Sequence, residues 1–165
     1  MNEPEDHDDK RVDLLVFTLD EQRYALHFSA VERVVCAVEV TPLPQAPPIV
    51  LGVVNAQGRI IPVVNVRRRF GLPEREIDLG DTLILVRTSK RSVALAADAV
   101  GGLLERSEQQ VVASATILAG VAYLDGVAKL EDGLILIHNL DTFLALEEER
   151  ALDTALTTAP RERPA

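Results

Sequence analysis

Apolar and polar positions alternate along most of this chain in short runs rich in valine and isoleucine, too brief for long helices. Leu14–Leu19, a polar turn at Asp20-Glu21-Gln22 and Arg23–Phe28 predict a hairpin. Ser29 is placed to cap a short helical turn through Glu32, after which Arg33–Val40 is extended until Thr41-Pro42-Leu43-Pro44 breaks it. Pro47-Pro48 predicts a brief helical turn over Ile49–Leu51. The apolar runs Ile49–Val54 and Ile60–Val66, split at Gln57-Gly58, predict a second hairpin. Asn65 caps a short helix over Val66–Phe70, which Gly71 and Pro73 end.

Glu74–Gly80 reads as a polar loop and the place for a seam. Thr82–Thr88 and Ser92–Ala97 form a third hairpin about Ser89-Lys90-Arg91, followed by an irregular exit over Asp98–Gly102. Ser107–Gln110 is expected to hold a helical turn, and Ser114–Ala119 has no clear pattern. Gly120–Leu124, Val127–Leu130 and Leu134–His138 read as strands joined by turns at Asp125-Gly126 and Asp132-Gly133. Leu140, Phe143, Leu144 and Leu146 mark one face of a helix over Leu140–Leu152, and Thr157–Ala165 reads as a loose tail. Some nine or ten short strands without alternating long helices imply small antiparallel barrels rather than a doubly wound sheet.

Composition fits an aliphatic core: 47% of residues are hydrophobic but only 4% aromatic, and tryptophan is absent. The length of 165 residues suits one domain that folds without staples. The formal charge of −9 sits mostly at the ends: residues 2–9 carry −5 and residues 147–165 carry −2, leaving −2 for residues 10–146. A nearly neutral body argues against nucleic acid as a partner, and Arg67-Arg68-Arg69 reads as a solvated helix face. Residues 1–11 read as a disordered acidic tail. The single cysteine, Cys36, excludes an internal disulfide and reads as a core or near-core strand position in a cytoplasmic protein. No apolar run reaches the ~18 residues that span a bilayer, so no direct membrane insertion is expected.

The residues assemble no reactive centre. His7, His27 and His138 have neither metal-binding spacing nor a cysteine partner, and His138 reads as a half-buried strand residue. Asp98, at the end of an apolar strand, is the most enzyme-like carboxylate, although it reads more simply as a side chain accepting nearby backbone N–H groups. No nucleophile and base pair emerges, so the chain is read as a non-enzyme without cofactor or metal.

Four segments in order carry a family resemblance: LVFTLDEQRYAL from Leu15, LGVVNAQGRIIPVVNVRRRFGL from Leu51, VALAADAV from Val93 and GVAKLEDGLILIHNL from Gly126. Over residues 13–146 the chain resembles the CheW family of chemotaxis coupling proteins. The most specific match is to the pattern G-V-x-N-x-R-G-x-I-x-P-V-x-D-L-R-x-x-F-G, at Gly52, Val53, Asn55, Gly58, Ile60, Pro62, Val63, Arg67, Phe70 and Gly71. The resemblance implies an all-β fold with short helices: two small five-stranded SH3-like β-barrels around a shared hydrophobic core, plus a C-terminal helix. On that reading residues 12–147 form the domain and residues 148–165 the helix end and flexible tail. It also implies an adaptor that couples the cytoplasmic tip of a chemoreceptor, received in the groove between barrels, to the regulatory domain of a histidine autokinase. Such a protein is cytoplasmic and is recruited to membrane-associated receptor arrays.

Three positions depart from the family pattern. Gln57 stands where an arginine is usual, Asn65 replaces an aspartate while keeping its capping role, and Arg33 stands at a commonly acidic position. These departures imply a coupler matched to its own receptor or kinase, because charge complementarity chooses partners. The partner-binding candidates are Val31, Arg33, Gly52, Asn55 and Gln57 on the first barrel, with Val111 and Ile117 as contacts for the kinase's regulatory domain. Val31, Val111 and Ile117 are equally readable as core, Gly52 as a close backbone approach and Asn55 as a turn residue. The other function class left open is a small β-barrel regulatory or ligand-binding module outside chemotaxis, with Arg67–Arg69 as its anion site.

Overall fold

Two-residue turns set the registers from which the fold is built. In the computed structural model, which describes residues 11–107, 111–113, 124–130, 133–142 and 144–158, β1 (Arg11–Leu19) and β2 (Gln22–His27) pair antiparallel with Leu19 opposite Gln22. Asp20 and Glu21 between them have φ of 51° and 71°, the paired left-handed conformation of a type I′ turn. After a 3-10 turn over Phe28–Ala30 come β3 (Val31–Cys36), β4 (Val50–Ala56) and β5 (Arg59–Val64), then the one-turn helix α1 (Val66–Phe70). The hairpin β6 (Thr82–Arg87) and β7 (Ser92–Ala97) follows, then β8 (Ala99–Ser107), β9 (Val111–Ala113), β10 (Leu124–Leu130), β11 (Gly133–His138) and the helix α2 (Leu146–Thr158).

The strands form two sheets, as the resemblance implied. The first has five strands in the order β3-β6-β7-β5-β4, and the second has six in the order β8-β1-β2-β11-β10-β9. Among the described residues each contains one parallel contact, β5 with β7 and β2 with β11. The first barrel closes where the chain beyond β3 returns to β4: Thr41 and Val53 exchange N–H···O bonds of 2.9 and 2.8 Å. Small clusters fill each barrel, around Ile61, Leu83 and Leu85 in the first and around Leu14, Ile135 and Ile137 in the second. The larger cluster lies between them and combines Leu15, Phe17, Leu19 and Leu26 of one sheet with Ile84, Val86, Val93 and Leu95 of the other. Burying each such side chain stabilises the fold by roughly 1.5–3 kcal/mol. Parting the barrels would expose both halves of that layer, so they fold as one unit.

Several local expectations are corrected. Pro47–Val50 forms one turn, with the Val50 N–H on the Pro47 carbonyl at 2.9 Å, but no helix covers Ile49–Leu51. Instead the Ile49 carbonyl accepts the Asn65 N–H at 2.7 Å and the chain enters β4. Ser29 lies inside its 3-10 turn, and no side chain caps that turn. Asp98 leads directly into β8, whose register shifts opposite Val16 and Phe17 beside Gly102, at φ 109°. Asp125-Gly126 is a bulge within β10 rather than a hairpin turn. The C-terminal helix starts later than expected and includes Thr157: Leu140–Thr142 is a separate 3-10 turn, and the Glu148 carboxylate accepts the Ala145 N–H at 2.8 Å, half of a capping box that opens α2. Cys36 is exposed, because Val35 and Ala37 take the inward positions of that segment. His138 is buried and stacks on Phe70 with centroids 3.8 Å apart. The expected helical turn at Ser107–Gln110, the segments Ser114–Ala119 and Gly120–Leu124, the turn at Asp132 and both tails fall wholly or in part outside the described residues.

Arg67 is not on a solvated face. Its side chain is 9% exposed and spans the seam, donating to Asp20 in the β1–β2 turn at 2.9 Å, to both Asp98 oxygens at 2.8 and 2.9 Å, and to the Pro73 carbonyl at 3.0 Å. Asp98 also accepts the Asp20 backbone N–H and the Arg75 guanidinium, and Arg75 makes a two-pronged bond to Asp81. Burial pushes the Asp98 carboxyl upward, but the Asp20 N–H and the Arg67 and Arg75 guanidiniums outweigh it, so its pKa lies below the ordinary 3.8. The Asp81 pKa is lowered in the same way, by Arg75 and the Asp78 N–H acting against burial.

A depressed carboxyl stabilises the fold above its unfolded pKa and loses that contribution as pH falls through the folded value. Urea midpoints of the wild type are therefore expected to drop as pH falls below about 3.8, and Asp98→Asn to flatten that decline while lowering stability near neutrality. Arg67→Met, which leaves the inter-barrel carboxylates short of a cation, is expected to lose about 3 kcal/mol in urea unfolding at pH 7.

Candidate functional site

β3 is an edge strand whose alternation has been turned inside out. Val35, together with Ala37 just beyond the strand, faces the barrel interior, while Val34 and Cys36, with Val38 beyond them, point outward; Val34 and Val38 are 41% and 46% exposed. At the start of the strand the register slips between Val31 and Arg33 opposite β6, a bulge centred on Glu32. The bulge divides the strand's side chains: Val31 is half-buried against the central core, and Arg33 is exposed, without an ion pair among the described residues. Glu32 reaches Arg59 at 3.8 Å, and Arg59 donates to the Ser92 hydroxyl at 2.7 Å. That pair ties β3 to the β4–β5 hairpin beside its tip.

The hairpin tip is a type I′ turn with Gln57 at φ 56° and Gly58 at φ 86°, between Ala56 and Arg59. Asn55 stabilises it from within: its side-chain oxygen accepts the Gly58 N–H at 2.9 Å, so it is a turn residue whose amide is engaged in the fold. Gln57 has no such role. Its side chain is exposed with no hydrogen bond among the described residues, and its backbone occupies a conformation that favours glycine or asparagine. Gly52 has φ 155°, and a Cβ there would lie 2.3 Å from the Thr41 carbonyl oxygen, so it is required by the strand closure at Thr41.

Of the sequence candidates, Val31, Arg33, Asn55 and Gln57 are thus linked by the Glu32–Arg59 pair on the first barrel, and Gly52 supports the hairpin from β4. Val111 is elsewhere, half-buried against the interior of the second barrel. Ile117 lies outside the described residues. Sequence reasoning missed Val34 and Val38, because a run of valines hides which alternate set faces out. The basic run is not an open anion site: Arg67 is saturated, Arg68 pairs with Glu74 at 3.3 Å and Arg69 with Glu148 of α2. Together the site offers an apolar strip flanked by opposite charges and a projecting amide, an arrangement suited to recognition. Among the described residues, no helix is long and apolar enough to cross a membrane, and no cluster of side chains could hold a metal ion.

Comparison with known proteins bears on this arrangement. The CheW-like domain family matches residues 13–148. The chemotaxis protein CheW of Rhizobium meliloti (strain 1021) is 28% identical over 141 residues, covering 84% of this chain and 91% of its own. That of Thermotoga maritima is 35% identical over 102 residues, covering 62% of this chain and 67% of its own. The crystal structure of scaffolding protein TtCheW from Thermoanaerobacter tengcongensis is similar with a TM-score of 0.76 at 28% identity, covering 84% of this chain and 96% of that one.

Two substitutions separate backbone demands from recognition. Gly52→Ala is expected to destabilise by about 3 kcal/mol or more, since its Cβ meets backbone and not a movable side chain. Gln57→Gly is expected to stabilise by about 0.5–1 kcal/mol by relieving the left-handed conformation. Thermal and urea unfolding check both.

Proposed function

The chain belongs to the CheW-like domain family, and on that premise we propose that it is an adaptor that joins the cytoplasmic tip of a chemoreceptor to the regulatory domain of a histidine autokinase. It acts in the cytoplasm by binding, without catalysis or cofactor, and is recruited to membrane-associated receptor arrays. The observation that carries this reading is the outward strip of Val34 and Val38 beside Arg33 and the Gln57 hairpin. A strip of exposed aliphatics bordered by charge suits a protein partner, and the flanking charges select which one.

Arg33 and Gln57 adapt this adaptor to its own receptor or kinase. An arginine at the hairpin tip would present a fork for a carboxylate, whereas Gln57 presents a neutral amide that donates and accepts. Arg33 places positive charge on the adjoining edge. A partner face complementary to this pair is acidic opposite Arg33 and uncharged opposite Gln57. Val111 and Ile117 remain as candidate contacts for the kinase's regulatory domain, with Val111 acting through the second-barrel wall it supports.

Co-sedimentation with the cytoplasmic fragment of the cognate receptor and its kinase, with kinase activity measured alongside, tests the coupling. Binding to both and a change in kinase activity are expected; binding to neither overturns the reading. The double variant Arg33→Glu and Gln57→Arg is expected to shift preference between cognate and non-cognate partners by about tenfold. An unchanged preference would remove these residues from partner choice.

A further inference from the structure

Where β3 begins, next to Val31, the last residues of three strands meet at the seam: His27 of β2 and His138 of β11 from the second barrel, and Arg87 of β6 from the first. They surround a cavity of about 170 Å³ whose remaining wall is Ala30 and the segment Asn139–Asp141. For scale, an engineered cavity of about 150 Å³ holds a benzene molecule. The wall is built rather than loose. Asp141 accepts the Ser89 N–H at 2.7 Å, Asn139 accepts the Asp141 N–H at 3.0 Å, and Leu140 is buried in the central core.

The charges in this cavity are arranged unusually. Arg87 is exposed and makes no hydrogen bond or ion pair among the described residues. Asp141 lines the same cavity but does not pair with it; one of its oxygens serves Ser89, and the other is without a hydrogen bond among the described residues. Elsewhere on this protein, guanidiniums near carboxylates have closed onto them, as Arg67, Arg69, Arg75 and Arg91 do. Here a donor fork and a carboxylate line one space of small-molecule size without pairing.

We propose that this cavity binds a small carboxylate that carries its own hydrogen-bond donor, the class of hydroxy acids and amino acids. The ligand carboxylate lies on the Arg87 guanidinium, the geometry in which arginine binds carboxylates best. The neighbouring O–H or N–H donates to the Asp141 oxygen that Ser89 leaves over. A carboxylate without a donor leaves the Asp141 charge facing it uncompensated and binds less well.

The test uses the full chain with lactate, L-serine and acetate as probes, read by thermal shift and by backbone amide shifts. Lactate and L-serine are expected to raise Tm and to move the amides of Arg87, Asn139 and Asp141, with acetate about tenfold weaker. Arg87→Gln is expected to abolish the response while leaving the unliganded Tm unchanged, because the side chain is exposed and unpaired. Asp141→Asn, which keeps an oxygen for Ser89 and removes the charge that disfavours acetate, is expected to erase the difference between lactate and acetate. Absence of a response to any probe, or an undiminished response in Arg87→Gln, overturns the site. Equal responses to lactate and acetate in the wild type overturn the donor requirement. Neither result bears on coupling to a receptor and kinase, which is measured separately.

Discussion

The guanidinium of Arg67 is the contact on which the relation between the barrels depends. It is mounted on a one-turn helix of the first barrel, and it binds a turn of the second and the residue where the chain crosses between them. Its neighbours are positioned for that bond. Asn65 caps the helix by accepting the Arg68 N–H, and Gly71 ends it at φ 75°. A one-turn helix has little stability of its own; here capping at both ends and the charge on Arg67 hold it against the seam. A hydrophobic layer alone would tolerate sliding of one barrel over the other. A buried cation with directional partners on both sides does not, and this fits the use of buried ion pairs to specify one arrangement.

The two type I′ turns show what such specificity costs. Asp20 and Glu21 both occupy left-handed backbone without glycine, and so does Gln57. At the first turn the reason is local: Asp20 offers its carboxylate to Arg67 and its N–H to Asp98, so strain in the turn is offset by bonds at the seam. At the second turn the Asn55 side chain supports Gly58, but the Gln57 side chain itself makes no hydrogen bond among the described residues. That difference sets Gln57 apart from Asn55, whose side chain is engaged in the fold.

What could be read from the sequence was what short range decides. The hairpin at Gln57-Gly58, the third hairpin and the capped helix from Asn65 to Gly71 depend on neighbours a few positions away, and all three formed as expected. The misreadings have long-range causes. Arg67 looked solvated because its carboxylate partners are 31 and 47 residues distant. Asp125-Gly126 has the composition of a turn but became a bulge because β11 pairs on both sides of it. Cys36 looked buried because valines stand on both faces of β3, and which set faces inward is decided by pairing with β6. On the β4–β5 hairpin, Gly52 and Asn55 were visible as motif residues, but their backbone roles became clear only from the Thr41 approach and the Gly58 bond.

An outward strip of valines on an edge strand invites self-association, so its persistence requires a device against it. The structure holds three. The bulge at Glu32 breaks the regular ladder where a second copy would begin to pair. Glu32 and Arg33 place charged side chains on that edge, and pairing there would cost their removal from water. The chain beyond β3 folds onto β4 through Thr41, which closes the far end of the edge. What remains open is short and bordered by charge. Such a surface binds weakly to most proteins and well to one that matches it in both shape and charge. The Arg67 seam behind it keeps that shape constant, so that one arrangement of the two barrels is offered to any partner.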